Sequence, residues 1–174
     1  AIIGRLVGSE MCIRDRTHEV HGSNCKCCVH RKGATRAFSG GNPDLADDFQ
    51  GIGQPVLVPG DMGRASWVLA GPKNGENDAF SSSCHGAGRK LSRTAARNTI
   101  DPEALVKELE DMGIIVRAKT RSLLSEEAPE AYKNVDDVVR LTESAGLARP
   151  VARLRPLGVI KGLSLIHISE PTRR

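Results

Sequence analysis

The chain has 174 residues, 39% hydrophobic and 26% charged, with a net charge of +4. Those figures suit one globular domain or a large part of one. Aromatic residues at 3% argue against binding single-stranded nucleic acid by base stacking, and the absence of an 18-residue apolar run argues against a membrane helix. The five cysteines, Cys12, Cys25, Cys27, Cys28 and Cys84, are odd in number and clustered, unlike a secreted disulfide framework. No signal-peptide pattern is present, so the expected location is cytoplasmic.

The two ends read differently from the rest. Arg5–Arg16 is RLVGSEMCIRDR and Leu163–Arg174 is LSLIHISEPTRR. Opposite strands of one DNA sequence, similar to a transposase adapter, encode both. Residues 1–16 and 163–174 are therefore expected to lie outside the natural protein, with adapter read-through at 5–16 and at 163–174. Without Arg5, Arg14, Arg16, Arg173, Arg174, Glu10, Asp15 and Glu170 the net charge falls from +4 to +2. A basic-tail argument for nucleic acid then disappears.

Within 17–162 the first elements are short. Residues 26–38 hold β-prone pieces around Gly33, and 39–54 is a loop rich in Gly, Asp and Pro. PVLVP (55–59) predicts a buried strand, GDMGR a turn, and ASWVLAG (65–71) a second strand. Residues 72–79 are another loop. A helix can start within 88–98. A firmer one is predicted after Asp101, an N-cap followed by Pro102 and Glu103. Leu105, Val106, Leu109 and Met112 recur on its inward face, and Gly113 ends it. Ile114–Val116 predicts a strand. A helix over 136–145 carries Val138, Val139 and Leu141 inward, and VARLRPLGVIKG (151–162) reads as one alternating strand. Strands and helices mix without a βαβ rhythm, so the expected fold class is α+β.

Most chemical motifs fail on spacing. There is no G-x-x-x-x-G-K-[ST] phosphate loop, and Gly86-Ala87-Gly88 lacks the third glycine of a dinucleotide fingerprint. Cys25-x-Cys27-Cys28-x-His30 offers soft ligands, but strand alternation splits them between two faces and no second half-site follows. The stretch FSSSCHGAGRKLSR (80–93) offers more. Glycines beside His85 let backbone N–H groups turn toward an anion, and Arg89 and Lys90 add positive charge. An imidazole there can attack phosphorus. On spacing alone a satisfied structural histidine is the better fit.

Five stretches together carry a resemblance: HRKGATRAF (30–38), GQPVLVPGDMGRASWVLAG (53–71), SSSCHGAGRKLSR (81–93), EEAPEAYKNVDDVV (126–139) and RPLGVIKG (155–162). In this order they resemble the RtcB family of RNA ligases, over its C-terminal portion. The resemblance implies an α+β chain from the RtcB-type fold. It also implies GTP- and manganese-dependent joining of RNA 3′-phosphate or 2′,3′-cyclic phosphate ends to 5′-hydroxyl ends. His85 would be the histidine that takes GMP from GTP. Pro59, Gly60, Asp61, Met62 and Ser66 would contact the guanylate, the His85, Gly86, Ala87 and Gly88 backbone would cradle it, and Tyr132 and Lys161 would close on guanine.

Many relatives carry Ser where this chain has Asp61, which leaves the role of that carboxylate open. The family's metal ligands, an Asp, a Cys and several His, belong upstream, so no metal residue is assigned and this stretch alone is expected to be inactive. RNA (tRNA halves or broken RNA), GTP and an archease-like activator are the implied partners, with no membrane. A non-catalytic guanine-nucleotide or RNA-binding module on the same fold is the alternative. It would be expected to lose His85 or Lys161, and both are present.

Overall fold

The computed structural model describes residues 15–75 and 78–161. The segments 5–14 and 163–174, with most of the adapter-like sequence, lie outside the described residues. β1 (Asp15–Val20) and β2 (Ser23–Cys28) form an antiparallel hairpin, and its first strand begins inside the segment read as adapter-encoded. β3 (Ala34–Arg36) pairs antiparallel with β6 (Ser82–Cys84). β4 (Pro55–Val58), β5 (Ser66–Ala70) and β8 (Arg149–Leu154) make an antiparallel sheet in the order β4-β5-β8. β7 (Ile115–Ala118) pairs in parallel with β9 (Gly158–Lys161). Among the described residues the helices α1 (Arg93–Thr99), α2 (Pro102–Asp111), α3 (Arg121–Glu126) and α4 (Val135–Ser144) complete an α+β fold.

Two apolar clusters hold these pieces. In the first, Val56, Val58 and Leu69 of the three-stranded sheet pack on Val135 and Val139 of α4, with Ala65 and Ala87 filling the edge. In the second, Leu105 and Leu109 of α2 meet Val116 of β7, Val159 of β9, Leu124 and Met62. Ala65 and Met62 belong to one turn, so the segment between β4 and β5 is anchored in both clusters.

The helix signals at α2 hold in detail. Asp101 accepts from the Glu103 N–H at 3.0 Å, and Leu105 and Leu109 are buried. Met112, expected inward, is exposed. Ile114 leaves the expected strand because its N–H returns to the Leu109 carbonyl at 2.9 Å, across Gly113 at φ 77°.

Other expectations are corrected. α1 starts only at Arg93, where Ser92 accepts from the Ala95 N–H at 3.0 Å, because the backbone of 88–91 is paired elsewhere. In α4 the inward face is Val135, Val139 and Thr142. Leu141 lies two residues from Val139, on the opposite side of a 3.6-residue turn, and is 69% exposed. The single strand expected over 151–162 is two strands in different sheets. Pro156, which has no N–H to give a ladder, lies in the connection between them. β6 and α3 were not anticipated. β6 is two serines and a cysteine, and α3 follows Thr120, whose side chain makes no capping bond.

Candidate functional site

The turn between β4 and β5 is tightly drawn. Ser66 Oγ accepts from the Gly60 N–H at 3.4 Å, and a Cβ at Gly60 would lie 2.1 Å from the Ala65 carbonyl oxygen. Only glycine lets the backbone come so close. Asp61 stabilises the same turn from inside. Its Oδ1 accepts from the Gly63 and Arg64 N–H groups at 3.0 and 2.9 Å, and its Oδ2 pairs with Arg64 Nη1 at 3.1 Å. Arg64 Nη1 also donates to the Pro129 carbonyl at 3.1 Å, fastening the turn to the 3-10 turn Pro129–Ala131.

The His85 segment docks on this turn. The Ala87 N–H donates to the Pro59 carbonyl at 3.0 Å. Gly88, at φ 74°, turns the chain so that its carbonyl accepts from the Lys133 N–H at 3.0 Å and the Lys90 N–H reaches the Ala131 carbonyl at 2.8 Å. Arg89 and Tyr132 thereby face each other across a β-bridge. β6 leads into this segment with Ser81 and Ser83 buried, and His85 emerges exposed at its end.

A cleft of about 370 Å³ opens between the turn, the 3-10 turn and β9. Pro59, Gly60, Asp61, Met62, Ser66, Glu127, Tyr132, Pro156, Gly158, Val159, Ile160 and Lys161 line it. The structure thus brings seven of the expected nucleotide residues together: Pro59, Gly60, Asp61, Met62, Ser66, Tyr132 and Lys161. His85, Gly86, Ala87 and Gly88 do not line the cleft. They adjoin it behind Pro59, from whose carbonyl a Cβ at Gly86 would be 3.5 Å away.

Two expectations change. The Ala87 amide is committed to Pro59, so it is not a donor waiting for a phosphate. The Asp61 carboxylate is spent on the turn, its side chain fully buried, so it is not an acceptor waiting for a ligand. Arg89 also differs from its reading as loose positive charge. Its guanidinium lies 4.8 Å over the Tyr132 ring and donates to the Leu91 carbonyl, the Glu126 carbonyl, Tyr132 Oη and Glu127 Oε1.

Glu127 is the cleft residue that sequence reasoning left unassigned. It accepts from Tyr132 Oη at 2.8 Å and Lys161 Nζ at 3.2 Å on Oε2, and from Arg89 Nη1 at 3.3 Å on Oε1. Partial burial alone would push its carboxyl up. Hydrogen bonds from Tyr132 and Lys161, with the charges of Lys161 and Arg89, outweigh that and hold it below the usual range. Tyr132 shifts upward through burial, its bond to Glu127 and the Glu127 charge. The available signal was a second carboxylate inside EEAPEAYK; nothing in the spacing tells it from its surface neighbour Glu130.

Among the described residues no group of three or more His, Cys, Asp or Glu side chains converges as a metal site. Cys25 and Cys28 are exposed on the hairpin and His18 is buried against Phe80. The residues here do not fit manganese.

Fold and site define an α+β protein with a mixed polar and apolar cleft, walled by a glycine turn and closed by a phenol and an ammonium. The family model for tRNA-splicing ligase RtcB matches residues 13–162, and the chain belongs to that family. It is 54% identical over 145 residues to a tRNA-splicing ligase RtcB of Thermococcus kodakarensis, covering 83% of this chain and 30% of that protein. A tRNA-splicing ligase RtcB of Archaeoglobus fulgidus is 51% identical over the same shares. RNA-splicing ligase RtcB homolog 1 of Entamoeba dispar is 46% identical, over 83% of this chain and 27% of its own length. The chain spans about 30% of the length of the first two relatives. Among the described residues no helix is long and apolar enough to cross a membrane.

Proposed function

We propose that this chain is the nucleotide-holding part of an RNA ligase that joins RNA 3′-phosphate or 2′,3′-cyclic phosphate ends to 5′-hydroxyl ends through a guanylylated His85. One observation carries the reading. Segments far apart in sequence, the 59–66 turn, Tyr132 and Lys161, meet around a cleft of base-and-sugar size, and the segment that carries His85 docks on Pro59 through Ala87.

The chemistry divides between those parts. The Tyr132 ring offers a face to a purine, and Lys161 offers N–H donors to its acceptor edge. The exposed His85 imidazole attacks the α-phosphorus of GTP, forming a P–N bond as the bond to pyrophosphate breaks. The GMP then passes to the RNA 3′-phosphate, and the incoming 5′-hydroxyl displaces it. Manganese would supply charge neutralisation at the phosphates. Among the described residues no group of His, Cys, Asp or Glu converges to hold it, so its ligands would come from elsewhere in the ligase. RNA substrates, an archease-like activator and a cytoplasmic location belong to the same proposal.

The test uses a ligase of family length carrying these residues, with α-labelled GTP and manganese. Acid-labile label on the protein, absent in His85→Ala, is the expected result. Equal labelling of the variant would overturn the assignment, and a wild type that takes no covalent label would favour a non-catalytic binding module on the same fold.

A further inference from the structure

We propose that Glu127 is a positioning residue of the cleft, a carboxylate that holds the Tyr132 hydroxyl and the Lys161 ammonium in place around a bound guanylate. The proposal rests on the nucleotide reading given above and adds a residue to it.

Neither Tyr132 nor Lys161 is oriented by its own segment. Lys161 is the last residue of β9 and carries its charge on a flexible stem. Tyr132 follows a 3-10 turn, held on one face by the Arg89 guanidinium. The two side chains come from different elements and share one acceptor atom, Glu127 Oε2. Glu127 itself has a fixed base. It caps α3, its N–H bonded to the Leu124 carbonyl at 3.0 Å, and Ala128 beside it is fully buried in the second core. Its other oxygen takes Arg89, which reaches back to the segment following His85. One carboxylate therefore links the histidine-bearing segment, the aromatic wall and the terminal lysine.

The charges fit this role. Two cations flank one anion and a neutral phenol, so the cluster carries a net positive charge. The downward shift of Glu127 keeps it ionised at neutral pH, and the upward shift of Tyr132 keeps its hydroxyl donating. An ammonium has three N–H donors, so the bond to Glu127 leaves Lys161 with donors for the cleft.

Tyr132 is the one tyrosine in the chain, so its phenolate absorbance reads this cluster alone. The experiment titrates the 174-residue chain and its Glu127→Gln variant by phenolate absorbance, and measures GMP binding by calorimetry with a ligase of family length carrying the same residues and the same substitution. Circular dichroism checks the fold. Glu126→Gln, whose side chain pairs with Arg93 and Arg97 and not with Tyr132 or Lys161, is the control. In Glu127→Gln the tyrosine midpoint is expected to fall and GMP affinity to weaken about tenfold, the scale of one charge-assisted hydrogen bond. The control should move neither.

An unmoved tyrosine midpoint in folded Glu127→Gln overturns the proposal, whatever the wild type binds. So does a moved midpoint with unchanged GMP affinity. A wild type that binds no GMP, with the midpoint shift intact, refutes the nucleotide reading and with it the ligand role assigned to Glu127, while leaving its hold on Tyr132 in place. Should Glu127→Gln unfold, Glu127→Asp replaces it. That variant keeps the charge on a shorter arm, and is expected to retain a raised midpoint while weakening GMP; wild-type GMP affinity would overturn the proposal.

Discussion

Gly60→Ala tests whether the 59–66 turn is as tight as the cleft requires. The added Cβ would lie 2.1 Å from the Ala65 carbonyl oxygen and 2.9 Å from Val135 Cγ1. The first neighbour is backbone and the second is in the fully buried α4 face, so neither can swing away. The turn must open, and the 3.4 Å bond from the Gly60 N–H to Ser66 Oγ stretches with it. Overpacking of this kind costs about 1–3 kcal/mol, and a lost neutral hydrogen bond about 0.5–1.5 kcal/mol. A total of about 2–4 kcal/mol corresponds to a fall of roughly 5–15 °C in Tm for a chain of this size. Gly41→Ala is the matched control. A Cβ there meets nothing within 4 Å, so the variant should stay within about 0.5 kcal/mol of wild type or gain slightly from a stiffer unfolded chain. Thermal and urea unfolding of the two variants gives the comparison. Equal stability of Gly60→Ala and Gly41→Ala would refute the reasoning.

Asp61 should behave as a turn residue: Asp61→Ala is expected to lose about 1–3 kcal/mol in urea unfolding, and Asp61→Asn, which keeps the Oδ1 acceptor, clearly less. Equal losses would contradict that role. Asp136 governs acid stability. Hydrogen bonds from Arg153 lower its carboxyl most, partial burial opposes them, and the Trp67 indole at 2.7 Å and the Arg153 and Arg140 charges add to the lowering. A carboxyl lowered in the folded state stabilises above its unfolded value of 3.8, and that stability is lost as pH falls through the folded value. Urea midpoints read by fluorescence of Trp67, the one tryptophan, should therefore fall more steeply below about pH 4 in wild type than in Asp136→Asn. Parallel curves would remove Asp136 from the account.

Local signals in the chain were enough for some of this architecture and for none of its assembly. Asp101-Pro102 and Gly113 bracket α2 because capping and backbone freedom act within a few residues. PVLV and SWVLA pair as expected because a short turn joins them. Ser82–Cys84 was unreadable as a strand, since its serines are buried by β3 and by packing that no local pattern records. The division of 151–162 was likewise a tertiary outcome. β8 follows β5 and β9 follows β7, and the pairing partners decide where one strand stops and the other begins.

The site divides along the same line. The residues themselves, through five motifs in order, identify the family and single out His85, the Pro59–Met62 turn, Tyr132 and Lys161. Motif matching is a property of order along the chain and needs no coordinates. Whether Asp61 faces the ligand or the turn, whether the Ala87 amide is available, and that Glu127 ties Tyr132 to Lys161 were decided only in three dimensions. Asp61 bonds its own turn two and three residues on, but the Ala87–Pro59 and Lys161–Glu127 pairs form between segments whose separation in sequence carries no trace of the contact.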